Sequence, residues 1–294
     1  MNISVAAPAK INLALHVAGR RGDGYHLIDT LAVFTRFGDR LDIAPADADS
    51  LTVTGRYAAD TPADESNLVL RARDALRARL RGDARAVAIT LEKNLPVASG
   101  IGGGSSDAAA ALSGLAQAWA ADIGGRDLVA IGLSLGADLP MCLAARPLVA
   151  RGVGDELTML PDFPALGLVL VNPGVAVSTA DVFGALTSRE NAALPPLPPR
   201  IDFHSLRNWL ETTRNDLQQP AQALRPEIGA ALKALDRAGS GFSRMSGSGA
   251  TCFGLFETGN VAKRAAAAIR ARQPGWFVAA TRSIASQEAP HAGN

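Results

Sequence analysis

Pro96-Val97-Ala98-Ser99-Gly100-Ile101-Gly102-Gly103-Gly104-Ser105-Ser106 is the stretch on which the reading of this chain turns. Residues 86–91 before it alternate in polarity and predict a strand, and the alanine-rich residues 107–121 after it predict a long helix. Glycines let backbone N–H groups approach a ligand closely, and Ser105 and Ser106 stand where the helix begins. The first amides of a helix have no partner inside it, and its dipole attracts anions, so the segment reads as an anion cradle. It is not a Walker A loop, because no Gly-Lys-Ser/Thr follows the glycines. It also lacks the ribose-binding acid that a dinucleotide fingerprint carries about twenty residues further on. A bare serine-capped turn would need neither four glycines nor the helix that follows at once.

A second cluster, Met245-Ser246-Gly247-Ser248-Gly249-Ala250, lies between a predicted helix over 226–238 and a predicted strand over 251–256. Pinned between two such elements, it is poorly explained as a linker. Two glycine loops far apart in sequence point to two walls of one polyanion site.

Outward from these loops, the chain reads as α+β in two lobes dividing near residue 160. Residues 3–17 predict a strand, a break at Ala7-Pro8-Ala9 and a second strand; residues 27–37 and 40–43 predict further strands. Asn67 is placed to cap a helix stopped by Gly82, and residues 127–135 predict another helix closed by Gly136. Residues 149–160 and 166–171 predict strands, Asn260 caps a last helix, 276–281 form a last strand, and the tail from 285 is expected to be disordered. The domain expectation is 1–160, 161–284 and a tail over 285–294.

Of the 294 residues 48% are hydrophobic and 19% charged, and the net charge is +1. Such a balance supplies a core but no broad field for nucleic acid, although a few local cations can hold a small acidic ligand. Lysine is rare: only Lys10, Lys93, Lys233 and Lys263 occur, so each is worth placing. Cys142 and Cys252 have no metal-ligand spacing and read as buried thiols. No signal peptide or membrane span is visible, so a cytoplasmic location is expected.

Four residues invite chemistry. Lys10 either snorkels to solvent or points into a cleft. Asp138, in the otherwise uncharged Leu135-Gly-Ala-Asp-Leu-Pro140, either satisfies local amides or serves as a base beside a lysine. Tyr25 and His26 are an amphipathic surface pair or a platform for a planar base. His16 reads as structural, and His204 and His291 have no companions for a metal site.

Taken together, these segments resemble the GHMP kinase superfamily. The three signatures occur in order: Pro8-Ala-Lys-Ile-Asn-Leu13, residues 96–106 with Asp107-Ala-Ala, and Ser246-Gly-Ser-Gly-Ala-Thr251. Gly22-Asp-Gly-Tyr-His-Leu27, Asn172-Pro-Gly-Val and Ser178-Thr-Ala-Asp-Val-Phe183 resemble its cytidyl-specific branch. The resemblance implies an N-terminal ATP-binding lobe with a ribosomal-protein-like fold and a C-terminal α/β sandwich substrate lobe. It implies transfer of the ATP γ-phosphate to the 2-hydroxyl of a cytidyl-linked methylerythritol, in the methylerythritol phosphate route to isoprenoids. Position by position, Asp138 is similar to the base and Lys10 to its electrostatic partner. Asn12, Tyr25 and His26 match substrate-holding positions, and Phe183 the opposing aromatic wall. Residues 96–106 match the ATP loop, and Asn67 a position near the nucleotide base. ATP and Mg2+ are the implied cofactors, with no protein ligand to the metal assigned. The implied partner is the small cytidyl substrate, with no nucleic acid or membrane, in a monomer or homodimer. Ser99 stands where glycine or alanine is usual and Ala250 where proline is common.

Three other readings compete. A diphosphomevalonate-type decarboxylase is disfavoured by the Gly-Tyr-His loop, and a non-catalytic binding module by the presence of both Lys10 and Asp138. A dinucleotide oxidoreductase rests on glycine spacing alone.

Overall fold

A computed structural model of the chain describes residues 2–80 and 84–288. Two antiparallel-rich sheets carry the fold. The first is built from β1 (Ile3–Arg20), β2 (His26–Pro45), β3 (Ser50–Thr54), β4 (Val87–Glu92), β5 (Leu148–Arg151) and β6 (Glu156–Met159). Its order is β3-β4-β2-β5-β6, with β1 lying along β2. The helices α1 (Leu68–Arg79), α2 (Gly103–Ala118), α3 (Gly125–Leu135) and α4 (Leu139–Ala144) belong to the same half of the chain. The second sheet holds β7 (Gly167–Asn172), β8 (Phe242–Met245), β9 (Cys252–Phe256) and β10 (Phe277–Arg282), in the order β10-β7-β9-β8. With it go α5 (Thr179–Gly184), α6 (Phe203–Glu211), α7 (Gln218–Leu224), α8 (Glu227–Arg237) and α9 (Gly259–Arg272).

The break expected at Pro8 is a bulge instead. β1 runs unbroken from Ile3 to Arg20, with register shifts between Pro8 and Lys10, Asn12 and Ala14, and Val17 and Gly19. A bulge bends a strand and re-aims its side chains without ending the pairing. The two strands expected over 27–43 likewise form one long β2.

α2 begins at Gly103, four residues before the expected start, because Gly102 takes the left-handed conformation (φ 64°) and turns the chain into the helix. The helix presses its small residues on the first sheet: a Cβ at Gly114 would meet Ile43 Cδ1 at 2.7 Å. Only glycine permits so close an approach, and Ala108, Ala111, Leu112 and Leu115 fill the seam around it. Asn67 caps α1 as expected, accepting from the Val69 amide, while Gly82 lies outside the described residues. The cap of α9 is Thr258 rather than Asn260, since the Thr258 hydroxyl accepts from Val261 N–H.

Ile11, Leu13, Leu31 and Val33 of the first sheet pack with Leu168, Phe253 and Phe277 of the second in one apolar cluster. The start of the expected tail is ordered. Ile284 N–H donates to the Phe34 carbonyl, and Ser286 N–H to the Phe163 carbonyl. Ser286 Oγ bonds back to the Leu160 carbonyl, so these residues strap the second half of the chain to the first. Residues 289–294, with His291, lie outside the described residues.

Candidate active site

The two glycine loops meet. A Cβ on Gly100 would lie 2.4 Å from the Gly249 nitrogen, and one on Gly249 2.2 Å from the Gly100 nitrogen. Backbone therefore touches backbone, and no side chain fits at either position. Thr251 N–H donates to the Ser99 carbonyl at 3.1 Å and Ser246 Oγ to the Gly100 carbonyl at 3.3 Å, tying the loops across the two halves of the chain.

The ladder of α2 begins with Ser106 N–H donating to the Gly102 carbonyl. The amides of Gly103, Gly104 and Ser105 thus precede the ladder, and the glycine N-cap offers them no side-chain acceptor. A row of free amides at the positive end of a sixteen-residue helix is an anion site.

Lys10 stands beside this row. It is buried, its amide donates to the Ile101 carbonyl, and its Nζ lies 2.6 Å from Asp138 Oδ2. The lysine therefore points into the cleft and does not snorkel. Asp138 sits at the start of α4 yet makes no side-chain cap bond, which leaves its carboxylate to Lys10. The Asp138 side chain keeps 39% exposure against 5% for Lys10, so the carboxylate faces the cleft.

A second lysine forms a sealed cluster at the same cleft. Lys93 Nζ is 2.5 Å from Asp39 Oδ2 and 2.6 Å from Asp107 Oδ2, and all three are buried. Burial opposes the charge on Lys93, but Asp107 and Asp39 outweigh it and hold its pKa above the ordinary lysine value. Burial dominates at Asp107, whose carboxyl is pushed up to about 8. Asp39 also accepts from the amides of Asn94 and Leu95, fixing the entry to the glycine loop.

At the other end lie the aromatic groups. The His26 and Phe183 rings stack at 4.6 Å between centroids, which leaves no gap for a third ring between them. A third ring could stack only on an outer face of this pair, and Tyr25, which borders the same cavity, is 60% exposed. His26 is held below its ordinary pKa by burial, then by Arg20 and Arg189, so its ring is neutral at pH 7. Its Nε2 is buried without a partner among the described residues. Asn12 is fixed by its amide to Ser246 Oγ and by its Nδ2 to Thr30 Oγ1, leaving a buried, unpartnered Oδ1.

These groups border one cavity of about 1120 Å³. It takes in Lys10, Asn12, Tyr25, His26, Asn67, Asp138 and Phe183, and from the glycine stretch Pro96 to Gly100 and Gly102 to Ser105. Single-ligand pockets run from about 300 to about 1,000 Å³, so the cleft is at the large end of that scale. Two residues of the expected ATP loop do not reach it. Ile101 is buried in the core, and Ser106 has committed both groups, its hydroxyl to the Pro8 carbonyl and its amide to Gly102. Ser99 turns its hydroxyl to the Pro96 carbonyl, so the departure from glycine costs the loop nothing visible. Sequence reasoning missed Asp39, Lys93 and Asp107 as a unit; the rarity of lysine was the one signal. Cys142 and Cys252 are free and buried, as expected.

Residues 67–146 match the model of the GHMP kinases N-terminal domain and residues 193–275 that of the GHMP kinases C-terminal domain. The chain belongs to the GHMP kinase family. A curated relative from Mesorhizobium japonicum, named 4-diphosphocytidyl-2-C-methyl-D-erythritol kinase, is 74% identical over 283 residues, 96% of each chain. The crystal structure of a 4-(cytidine 5'-diphospho)-2C-methyl-D-erythritol kinase superposes with a TM-score of 0.78 at 34% identity, covering 96% of this chain and 99% of that one. A homoserine kinase from Cytophaga hutchinsonii shares the fold, with a TM-score of 0.69 at 18% identity over 97% and 95% of the two chains.

Proposed function

We propose that this chain transfers the γ-phosphate of ATP to the 2-hydroxyl of 4-diphosphocytidyl-2-C-methyl-D-erythritol, giving the 2-phosphate and ADP in the methylerythritol phosphate route to isoprenoid precursors. One observation carries the reading: the Lys10–Asp138 pair, the free amides of α2 and the Tyr25–His26–Phe183 aromatic group open on one cleft. The relatives named above act, by their names, on this cytidyl alcohol.

Phosphoryl transfer asks for positioning, neutralisation of charge and a group that takes the hydroxyl proton. Asp138 is the base. It accepts the proton from the acceptor hydroxyl as that oxygen bonds to the γ-phosphorus and the bond to the β–γ bridging oxygen breaks, releasing ADP. Lys10 holds the Asp138 carboxylate in place and offsets charge on the transferring group. The amides of Gly103, Gly104 and Ser105 hold the phosphates, with the rest of residues 96–106 shaping the loop and Asn67 near the adenine. A cytosine lies on the outer face of the His26–Phe183 stack, with the neutral imidazole as a flat platform, and Tyr25 closes over it. The free Asn12 Oδ1 accepts from the alcohol.

Mg2+ supplies Lewis-acid neutralisation when bound with ATP. Among the described residues no group of three or more metal-ligating side chains exists, and the ion would be held mainly by phosphate oxygens and water. Ser105 offers the loop's one free hydroxyl beside it. The lobe division at 1–160 and 161–284 goes with this reading, each half carrying its own sheet. No helix among the described residues is long and apolar enough to cross a membrane, which is compatible with a cytoplasmic enzyme.

A coupled ADP-release assay with purified protein, ATP and Mg2+ tests the reading. Turnover is expected with the cytidyl alcohol. Turnover confined to a mevalonate derivative would overturn it.

A further inference from the structure

The acceptor in the proposed reaction carries a diphosphate between its cytidine and its alcohol, and a near-neutral protein must meet that charge locally. Four cationic side chains border the cleft: Lys10, Arg20, Lys93 and Arg189. Lys10 is paired with Asp138, and Lys93 with Asp39 and Asp107. Arg20 and Arg189 make no ion pair among the described residues, so theirs are the uncommitted positive charges of the cavity.

Their anchoring is also suited to the task. Arg20 Nε donates to the Gly24 carbonyl at 3.3 Å, in the residue before Tyr25. Arg189 Nη2 donates to the Gly184 carbonyl at 3.5 Å, in the residue after Phe183. One guanidinium is thus tied to the turn that carries Tyr25 and the other to the helix end that carries Phe183. Arg189 Nε is buried and has no hydrogen-bond partner, an orphan donor in a side chain bordering the cavity. A buried unsatisfied donor is costly and is explained when a ligand completes it. Guanidinium is suited to the role, because its fork of donors matches phosphate oxygens two at a time.

We propose that Arg20 and Arg189 form the diphosphate subsite of the acceptor, gripping the two phosphates from opposite sides once the pyrimidine is stacked. The arginines bind and orient; they exchange no proton and touch no reacting bond. The inference rests on the cytidyl reading of the site and adds to it that much of the recognition lies in the diphosphate.

Calorimetric titration of the full chain with cytidine, CMP, CDP and ADP tests it, using Arg20→Ala, Arg189→Ala, the double variant and Arg189→Lys. For the wild type, affinity is expected to rise from cytidine to CMP to CDP. Each alanine variant should weaken CDP roughly 10- to 100-fold, as losing a charge-assisted bond of about 1.5–3 kcal/mol implies. Cytidine affinity should stay within about threefold, and Arg189→Lys should recover part of the CDP affinity. KM for the acceptor should rise with the CDP constant, while KM for ATP should not move. Equal loss of cytidine and CDP binding in the alanine variants would overturn the subsite, since the arginines would then only support the aromatic group. A wild type that prefers CDP no more than ADP, with ATP held at saturation, would overturn the cytidyl reading itself.

Discussion

Two lysine–carboxylate clusters border the same cleft, and they differ in exposure and in stoichiometry. Lys10–Asp138 is a one-to-one pair whose carboxylate keeps 39% of its side-chain surface open. Lys93–Asp39–Asp107 holds one ammonium between two carboxyl groups with every side chain at 4% exposure or less. A base must meet its substrate's hydroxyl, so the open pair is equipped for proton transfer. In the closed cluster the ammonium is spent on neutralising its neighbours, and its product is geometry: Asp39 holds the amides of Asn94 and Leu95, and Asp107 lies in the first turns of α2. In the proposed function, identical chemistry thus divides into catalysis and scaffolding by exposure and stoichiometry.

Substitutions that separate the two clusters test this division. Asp138→Asn keeps size and polarity but cannot take the proton. kcat should fall by about 10²–10⁴, with the melting temperature hardly moved. Steady-state assay and calorimetry on one preparation check both, and unchanged turnover would remove Asp138 as the base.

Lys93→Met should reverse the pattern. It leaves the buried carboxyl groups of Asp39 and Asp107 without their ammonium and should cost about 3–5 kcal/mol of stability in urea unfolding, the range for breaking a buried ion pair. A variant as stable as the parent would show that the cluster is not a brace.

Asp107→Asn probes the proton held there. The Asp107 carboxyl titrates near 8 in the folded chain, well above the ordinary carboxylate, chiefly through burial. Folding therefore takes up a proton. That stabilisation is full below the ordinary carboxylate pKa and is lost as pH climbs towards 8. Asparagine cannot titrate, so unfolding midpoints measured at pH 5 and pH 8 should lie closer together in the variant than in the parent. Equal spacing would mean that Asp107 does not carry the proton.

The smallest effect belongs to the loop both clusters support. Ala98 has φ 51°, a left-handed conformation that costs a residue with Cβ about 1 kcal/mol. Ala98→Gly should relieve that strain without touching the Lys10–Asp138 pair. Thermal unfolding should rise slightly, and a fall would show that the chain entropy lost with glycine outweighs the strain.

Much of the site could be read along the chain, because its parts are local. The glycine stretch, the Gly-Asp-Gly-Tyr-His turn and the uncharged run around Asp138 each carry their meaning within a few residues. The buried cluster could not be read in this way. Asp39, Lys93 and Asp107 sit on β2, after β4 and in α2, and none lies in a pattern that marks it as paired. The bulge at Pro8 was read as a break for a related reason: proline signals interruption locally, whereas the long pairing of β1 with β2 keeps the strand intact. The early start of α2 is not legible along the chain because a run of glycines argues against helix, and only packing on the sheet offsets that preference.

The sequence by itself determined the two glycine loops, the strand–loop–helix unit with its free amides, and the Tyr25–His26 pair that the proposed function gives to a planar base. Those follow from backbone freedom and helix termini, which depend on nearest neighbours. Tertiary structure alone decided that Gly100 and Gly249 touch, that Lys10 turns inward onto Asp138, and that of four cations bordering the cleft Arg20 and Arg189 make no ion pair among the described residues. Charge pairing and close approach depend on distances between remote segments, and folding sets those distances.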